Sequence, residues 1–261
     1  MFEVAEAYEV SMGQWSRQLA PLFVEFAGVV DGEMILDVGC GTGALSATLV
    51  RVTKASKIIG IDPSAGFIEY ARNQVTDARV TFELGDAQAL RYADGIFDLC
   101  MALLIVNFVP DPQKAAKEMR RVTKSGGVIA TTMWDGSGAN RLNACFWDAA
   151  EAIDPAVKRP IEKPGSYSSA ARLLELWNGA GLLEVNVADL TMPCQFASFD
   201  ELWQRYTGGS GSGPSSAYVA SLTGERREAL RQRLRQDVLR GGADGPFTLQ
   251  AKAWAVRGVV P

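Results

Sequence analysis

Residues 37–43, which read Asp-Val-Gly-Cys-Gly-Thr-Gly, carry the clearest chemical pattern in the chain. Glycine at Gly39, Gly41 and Gly43 permits positive φ angles and lets a ligand touch the backbone. A short apolar segment precedes the run, which therefore falls at the carboxyl end of a predicted strand, where ligands of open α/β sheets bind. The glycine spacing alone is weak evidence, because Gly39-x-Gly41-x-x-Ala44 also fits the dinucleotide-binding fingerprint.

Three aspartates at predicted strand ends narrow the kind of ligand. Asp37, two residues before the first glycine, can accept hydrogen bonds from an ammonium group. Asp62 ends the second predicted strand, where an acid can bind both hydroxyls of a ribose. Asp86 follows the third, where it can accept from the exocyclic amine of adenine while the Ala87 amide faces a ring nitrogen. Each aspartate alone also fits a helix cap, but together they suit a ligand with an amino acid at one end and adenosine at the other.

Strands and helices alternate along the chain, which predicts βαβ units and a doubly wound, mainly parallel α/β sheet. The predicted strands are the apolar part of 34–43, then 58–62, 80–84, 97–106, 128–134, 184–192 and 247–256. The predicted helices are 5–30, 44–53, 64–75, 112–124, 140–153, 168–179, 199–206 and 224–240. Residues 208–216, rich in glycine and serine, are predicted to form a flexible loop.

Several helix boundaries follow from single residues. Pro21 is expected to kink or divide the first helix. Asp111 is a plausible N-cap with Pro112 at the first helical position. Lys124 is expected in the last turn of that helix, with Gly126-Gly127 ending it.

Composition excludes several kinds of chemistry. The 261 residues carry a formal net charge of −4, and this acidity argues against nucleic acid as a partner. The chain has no histidine, and its four cysteines are far apart, so neither a zinc site nor Ser-His catalysis is expected. The longest apolar stretch, 99–106, is too short to span a bilayer and the first residues do not resemble a secretory signal, so a cytoplasmic protein is expected.

Four segments resemble class I S-adenosylmethionine-dependent methyltransferases, most closely the ubiquinone/menaquinone-biosynthesis-like small-molecule group (methyltransferase type 11/25). They are residues 35–43, 60–71, 85–98 and 108–127. The resemblance implies strand order 3-2-1-4-5-7-6 with an antiparallel seventh strand. It also implies S-adenosylmethionine as cofactor and S-adenosylhomocysteine as product, without a metal.

The resemblance also implies roles for individual residues in cofactor binding. The glycine run with Cys40 would approach the methionine part and the ribose, and Asp62 would hold the ribose hydroxyls. Pro63 would flank the adenine, and Asp86 would bind its amine. Many relatives carry a polar residue after the fourth strand, but here contacts near Leu103 would be apolar or through the backbone.

The acceptor side is less defined. Tyr8, Met12 and Trp15 share a helical face in a predicted N-terminal lid over residues 1–30, with Trp15 or Tyr8 facing the sulfonium. Trp134 would line a pocket at the end of the fifth strand, and Trp203 and Tyr206 would lie on an acceptor-binding cap. Core packing explains Tyr8, Met12, Trp15 and Trp134 equally well. For Trp203 and Tyr206 a surface hairpin without a functional role is the simpler alternative.

These observations predict a single methyltransferase domain over 1–261, with a cofactor-binding half (31–135) and an acceptor-side half (136–261) that includes a helical cap over about 195–243. The predicted reaction is methyl transfer to a small-molecule or lipid-like acceptor by in-line displacement, driven mainly by positioning. A catalytically silent cofactor-binding module stays open as an alternative. An NAD-dependent oxidoreductase is a remote one, because it explains neither Asp37 nor Asp86.

Overall fold

The computed structural model describes residues 5–159, 166–207 and 214–261. The strands are β1 (Met34–Val38), β2 (Lys57–Asp62), β3 (Val80–Leu84), β4 (Phe97–Leu103), β5 (Thr123–Trp134), β6 (Leu183–Phe196) and β7 (Phe247–Val259). The helices are α1 (Ala5–Tyr8), α2 (Gln14–Ala27), α3 (Ala44–Val52), α4 (Ala65–Gln74), α5 (Pro112–Val122), α6 (Arg141–Ile153), α7 (Ala170–Gly179), α8 (Phe199–Thr207), α9 (Pro214–Ser221) and α10 (Gly224–Leu239). A π-helical turn, Glu9–Gly13, joins α1 to α2.

The strands form one seven-stranded sheet in the order β3-β2-β1-β4-β5-β7-β6. β1 pairs in parallel with β2 and β4, and β5 pairs in parallel with β4 but antiparallel with β7. This confirms the predicted doubly wound α/β fold and its strand order. The carboxyl ends of β1, β2 and β4 consequently share one edge of the sheet.

The described residues divide into two compact units. The sheet unit comprises residues 5–134, 166–190 and 253–261, and the helical unit comprises 135–159, 191–207 and 214–252. In the helical unit, α6 packs against α10, and α8 packs against α9. The prediction of a single domain with a helical cap stays a prediction.

One face of the sheet packs against α5 and α7. Strand residues such as Leu36, Cys100 and Ile129 are buried there together with Met119 from α5 and Trp177 from α7. The indole Nε1 of Trp177 donates a hydrogen bond of 2.8 Å to the Thr131 hydroxyl on β5. The opposite face carries α2, which packs against β4, β5 and α3.

The predicted start of α5 is confirmed, but its predicted end is wrong. The Asp111 carboxylate accepts from the Lys114 amide at 2.9 Å, and Pro112 is the first helical residue. The helix then ends at Val122, and Lys124 and the two glycines already lie in β5. Thr123 adopts an extended conformation because it pairs with Phe97 in the sheet, and strand pairing prevails over the local helix signals.

Three smaller expectations also need correction. Pro21 does not divide α2, which runs unbroken through it with the exposed ring on the outer side. The helix predicted over 168–179 begins only at Ala170, since the Ser169 hydroxyl accepts from the Arg172 amide and caps α7. Of the predicted loop 208–216, residues 208–213 lie outside the described residues, and residues 214–216 begin α9.

Within the described ranges, no helix combines the length and apolar character needed to cross a membrane. The same ranges contain no cluster of three or more Cys, Asp or Glu side chains arranged to hold a metal ion.

Candidate active site

The glycine run forms a tight turn between β1 and α3. All three of its glycines adopt positive φ angles: 68° at Gly39, 53° at Gly41 and 91° at Gly43. A Cβ on Gly39 would lie 2.5 Å from Cγ2 of Ile105, whereas a Cβ on Gly41 would meet no atom of the described residues within 4 Å. Gly39 is therefore required by packing, and Gly41 leaves space beside the backbone into which a ligand can come.

Cys40 helps to hold this turn in place. Its amide donates to the Ile61 carbonyl at 2.9 Å, and its carbonyl accepts from the Gly43 amide at 2.9 Å. Its side chain is buried with Ile68 and Phe82, and burial raises the pKa of the thiol well above its ordinary value. Cys40 thus fixes the shape of the loop through its backbone, and its predicted contact with a ligand stays a prediction.

Asp37 is fully buried on β1. Its Oδ2 accepts a hydrogen bond of 2.7 Å from the Ser46 hydroxyl on α3, but no described residue donates to its Oδ1. Burial raises the pKa of Asp37 to about 7, against the opposing effect of the Ser46 hydrogen bond. A buried carboxylate oxygen without a partner is costly in the folded protein, and a cationic group of a ligand would compensate it.

Asp62 connects the end of β2 to the glycine turn. Its Oδ2 accepts from the Gly41 amide at 3.1 Å, and its Oδ1 accepts from the Ser64 amide at 2.9 Å. A carboxylate offers about four acceptor sites, so each oxygen keeps capacity for one further donor. Burial raises the pKa of Asp62, and these two amides act in the opposite direction.

Asp86 follows β3 on the exposed side of the same edge. Its Oδ1 accepts from the Gln88 amide at 2.9 Å and from the Gln88 side chain at 3.1 Å. Ala87 is buried next to it, and Pro63 is exposed just after β2. The turn after β3 thus presents a carboxylate at the position where an adenine clamp is predicted.

The N-terminal segment reaches this part of the sheet unit. The Tyr8 ring centroid lies 5.5 Å from that of Phe67 in the first turn of α4, and the Tyr8 hydroxyl is 2.9 Å from the Ser16 hydroxyl. Burial raises the pKa of Tyr8, and the negative charge of nearby Asp62 acts in the same direction. Trp15 is buried and Met12 is partly buried, but the π-helical turn between Tyr8 and Gln14 alters the helical spacing from which a common face was predicted.

The chain is similar to proteins of known class. Residues 36–131 match the family model of the methyltransferase domain, Methyltransf_11. Over 194 residues the chain is 29% identical to the demethylmenaquinone methyltransferase of Renibacterium salmoninarum, covering 72% of this chain and 80% of that relative. It is 30% identical over 179 residues to the 2-methyl-6-phytyl-1,4-hydroquinone methyltransferase of Synechocystis sp., covering 66% of this chain and 54% of that relative.

The fold comparison agrees with the sequence comparison. The structure of phosphoethanolamine N-methyltransferase 2 of Haemonchus contortus in complex with S-adenosyl-L-methionine superposes with a TM-score of 0.58 at 19% identity, covering 98% of this chain and 56% of that one. The match over residues 36–131 and the similarity to named methyltransferases support a class I S-adenosylmethionine-dependent methyltransferase. The resemblance drawn from the four sequence segments is confirmed.

The predicted acceptor residues of this methyltransferase fall into both units. Trp134, at the end of β5, lies at the carboxyl edge in the sheet unit, and so does Leu103 at the end of β4, which was predicted to contact the cofactor. Trp203 and Tyr206 are buried in the helical unit. There the Tyr206 hydroxyl donates to the Leu142 carbonyl at 3.0 Å, and the rings of Tyr206 and Phe146 lie 4.5 Å apart. Those contacts give Tyr206 a structural task, and the acceptor roles stay predictions.

Sequence reasoning missed residues that shape the methyltransferase site. Ser46 bonds Asp37, Ser64 bonds Asp62 through its amide, and Ile105 packs against Gly39. Ser64 had a detectable signal, because its hydroxyl also caps α4. Ser46 and Ile105 had none, since an inner helix serine and an isoleucine after a strand have no fixed meaning in a sequence.

Proposed function

We propose that this methyltransferase binds S-adenosylmethionine at the carboxyl edge of β1 to β3 and transfers its methyl group to a small-molecule acceptor. The observation that carries the proposal is the buried Oδ1 of Asp37, to which no described residue donates, close in sequence to the open glycine turn. An ammonium group of the cofactor's amino-acid end would satisfy this oxygen.

The remaining groups suit the rest of the cofactor. Asp62 keeps one acceptor position on each oxygen, which matches the two hydroxyls of a ribose. The space at Gly41 lets the cofactor lie against the backbone. Asp86 and Ala87 would bind the adenine, with Pro63 at its side. Tyr8 and Trp15 would close the site from the N-terminal segment and help to exclude water.

The reaction itself demands little from the protein. When bound, the cofactor would supply a methyl group activated by its sulfonium charge. An electron pair of the acceptor would form the new bond to the methyl carbon as the bond from that carbon to sulfur breaks, which would leave S-adenosylhomocysteine as the thioether product. This chain's part is to hold the two molecules in that geometry and to exclude water, an effect worth about 7–11 kcal/mol in well-oriented reactions. The acceptor's proton would pass to solvent.

The acceptor class rests on the relatives and on charge. The two curated relatives are named for a demethylmenaquinone and a phytyl hydroquinone, so we propose a quinone-related or lipid-like aromatic acceptor. The net charge of −4 argues against nucleic acid.

Calorimetric titration with S-adenosylmethionine, S-adenosylhomocysteine and NADH tests the cofactor assignment. We expect both sulfur ligands to bind in the micromolar range and NADH not to bind. Tritium from methyl-labelled S-adenosylmethionine should then enter a lipid extract and not RNA. Binding of NADH in preference to the sulfur ligands would refute the proposal, and cofactor binding without transfer to either extract would favour the silent module.

Cofactor affinity should depend on pH through Asp37. Because its pKa is raised to about 7, Asp37 is mostly protonated below that pH in the free protein and must lose its proton to pair with an ammonium group. Affinity for S-adenosylhomocysteine should therefore rise with pH, by about 25-fold between pH 5.5 and 7.5, and level off above. Calorimetry in buffers of different ionisation enthalpy measures the released proton.

Asp37→Asn, which has nearly the same shape but does not titrate, is the matched control for this effect. It should bind more weakly at pH 7.5 and release no proton near pH 6. An unchanged pH profile in Asp37→Asn would assign the proton to another group, such as Asp62.

A further inference from the structure

Two buried polar groups near the carboxyl end of β5 have no partner among the described residues. Thr132 is fully buried, and the indole Nε1 of Trp134 is buried too; in the part of the chain that the structure describes, neither Oγ1 of Thr132 nor this Nε1 makes a hydrogen bond. The two residues alternate along the strand, so their side chains leave the same face about 7 Å apart. Buried polar groups normally find partners, and an unpaired one calls for an explanation such as a ligand.

The face on which they lie is fixed by their neighbours. Thr131 points the opposite way, since its hydroxyl accepts from Trp177 of α7. Thr132 is the register partner of Leu103 on β4, and Asp37 on β1 is the register partner of Met101, two residues before Leu103. Because register partners point to the same face, the side chains of Asp37 and Thr132 share the face that α2 covers. The unpaired atoms of Asp37, Thr132 and Trp134 are thus on one face, on strands that lie side by side.

The distance between the strands separates Asp37 from Thr132 and Trp134 on that face. β1 and β5 are two strand positions apart, or about 10 Å. If Asp37 binds the amino-acid end of the cofactor, Thr132 and Trp134 lie beyond it, on the side away from the ribose-binding Asp62. On β7 their register partners on this face are Ala255 and Ala253, whose side chains offer no hydrogen bond.

The hydrogen-bonding groups of Trp134 and Thr132 determine which kind of ligand atom they can bind. An indole N–H only donates, and a threonine hydroxyl both donates and accepts. We infer that Thr132 and Trp134 bind an oxygen of the methyl acceptor, such as a phenol or quinol oxygen. A protonated amine has no lone pair for the indole and is disfavoured. This inference rests on the proposed function, and it identifies the acceptor's polar group.

The test uses 1-naphthol as the probe, with naphthalene and the cationic 1-naphthylmethylamine as matched ligands on the same ring system. The protein is first saturated with S-adenosylhomocysteine, whose binding is measured in the same samples. Binding is followed in the ¹H–¹⁵N NMR correlation spectrum. The chain has six tryptophans, and the cross-peak of the Trp134 indole N–H is the one that is missing from the spectrum of Trp134→Phe. We expect 1-naphthol to shift this cross-peak downfield and to bind at least tenfold more tightly than either matched ligand.

Variants distinguish a binding role from a structural one. Trp134→Phe and Thr132→Val should each weaken 1-naphthol binding at least threefold while leaving S-adenosylhomocysteine affinity unchanged. Thr132→Val should not lower Tm, because it removes a buried hydroxyl that has no hydrogen-bond partner among the described residues. Thr131→Val is the control, since it breaks the bond to Trp177 and should lower Tm without changing affinity for 1-naphthol.

The inference is overturned if 1-naphthol leaves the Trp134 cross-peak in place, if the amine binds as tightly, or if both variants bind 1-naphthol like the unaltered protein. Failure of S-adenosylhomocysteine to bind at the outset would instead refute the proposed function, and the inference with it.

Discussion

Gly41→Ala is expected to weaken S-adenosylhomocysteine binding at least tenfold while the protein stays folded. Gly41 has a φ of 53°, so an alanine there should lower the free energy of unfolding by about 1–2 kcal/mol. The new methyl group meets no protein atom within 4 Å, but it occupies the space into which we propose that the cofactor comes. Calorimetric titration gives the affinity, and urea unfolding gives the stability.

Gly126→Ala is the matched control for this variant. Gly126 has a φ of 77°, and a Cβ there also meets no atom within 4 Å, but it lies at the start of β5 beside Val260. Gly126→Ala should therefore lose similar stability and keep full cofactor affinity. Equal affinity in the two variants would show that no ligand approaches Gly41. Gly39→Ala is unsuitable, since its methyl group would collide with Ile105.

Asp62→Ala is expected to weaken binding of both sulfur ligands at least tenfold, which is about 1.4 kcal/mol or more. Two losses combine in this variant. The ribose hydroxyls lose their proposed acceptor, and the Gly41 amide loses its partner, so the turn is less well held. Asp62→Asn keeps one acceptor oxygen and should lie between Asp62→Ala and the unaltered protein. Affinities are measured by calorimetry at pH 7.5.

Asp31 provides the control, because it also bonds backbone amides in the sheet unit. Its Oδ1 accepts from Gly32, Lys54 and Ala55, and these amide hydrogen bonds lower its pKa. Asp31→Ala should lower Tm without changing cofactor affinity. If Asp31→Ala and Asp62→Ala weaken binding to the same extent, general loosening of the loops explains the effect and Asp62 has no direct role.

The strand-end residues were the most predictable part of the site. Asp37, Asp62 and Asp86 follow apolar runs, and the carboxyl ends of parallel strands necessarily share an edge. The glycine turn could also be predicted, because positive φ angles and a close backbone approach favour the same residue type. The family resemblance supplied the strand order, which the structure confirms.

Boundaries and orientations were less predictable. α5 ends before Lys124 because Thr123 pairs with a strand distant in sequence, and a local pattern contains no information about that partner. The π-helical turn after Tyr8 changes which side chains share a face, although their sequence spacing fits an ordinary helix. Trp203 and Tyr206 were expected on an acceptor cap, and the structure gives Tyr206 partners from α6 within the helical unit.

Thr131 and Thr132 show most directly what tertiary structure adds. The sequence determines that both lie in a buried strand and that they face opposite ways. It does not determine that the Thr131 hydroxyl meets Trp177, 46 residues away, while the Thr132 hydroxyl meets no donor or acceptor among the residues that the structure describes. Local pattern is enough to place a polar group at a strand end, because strand geometry repeats along the chain. Whether that group is satisfied depends on atoms that only the folded chain brings near, so the tertiary structure alone shows which polar groups are left for a ligand.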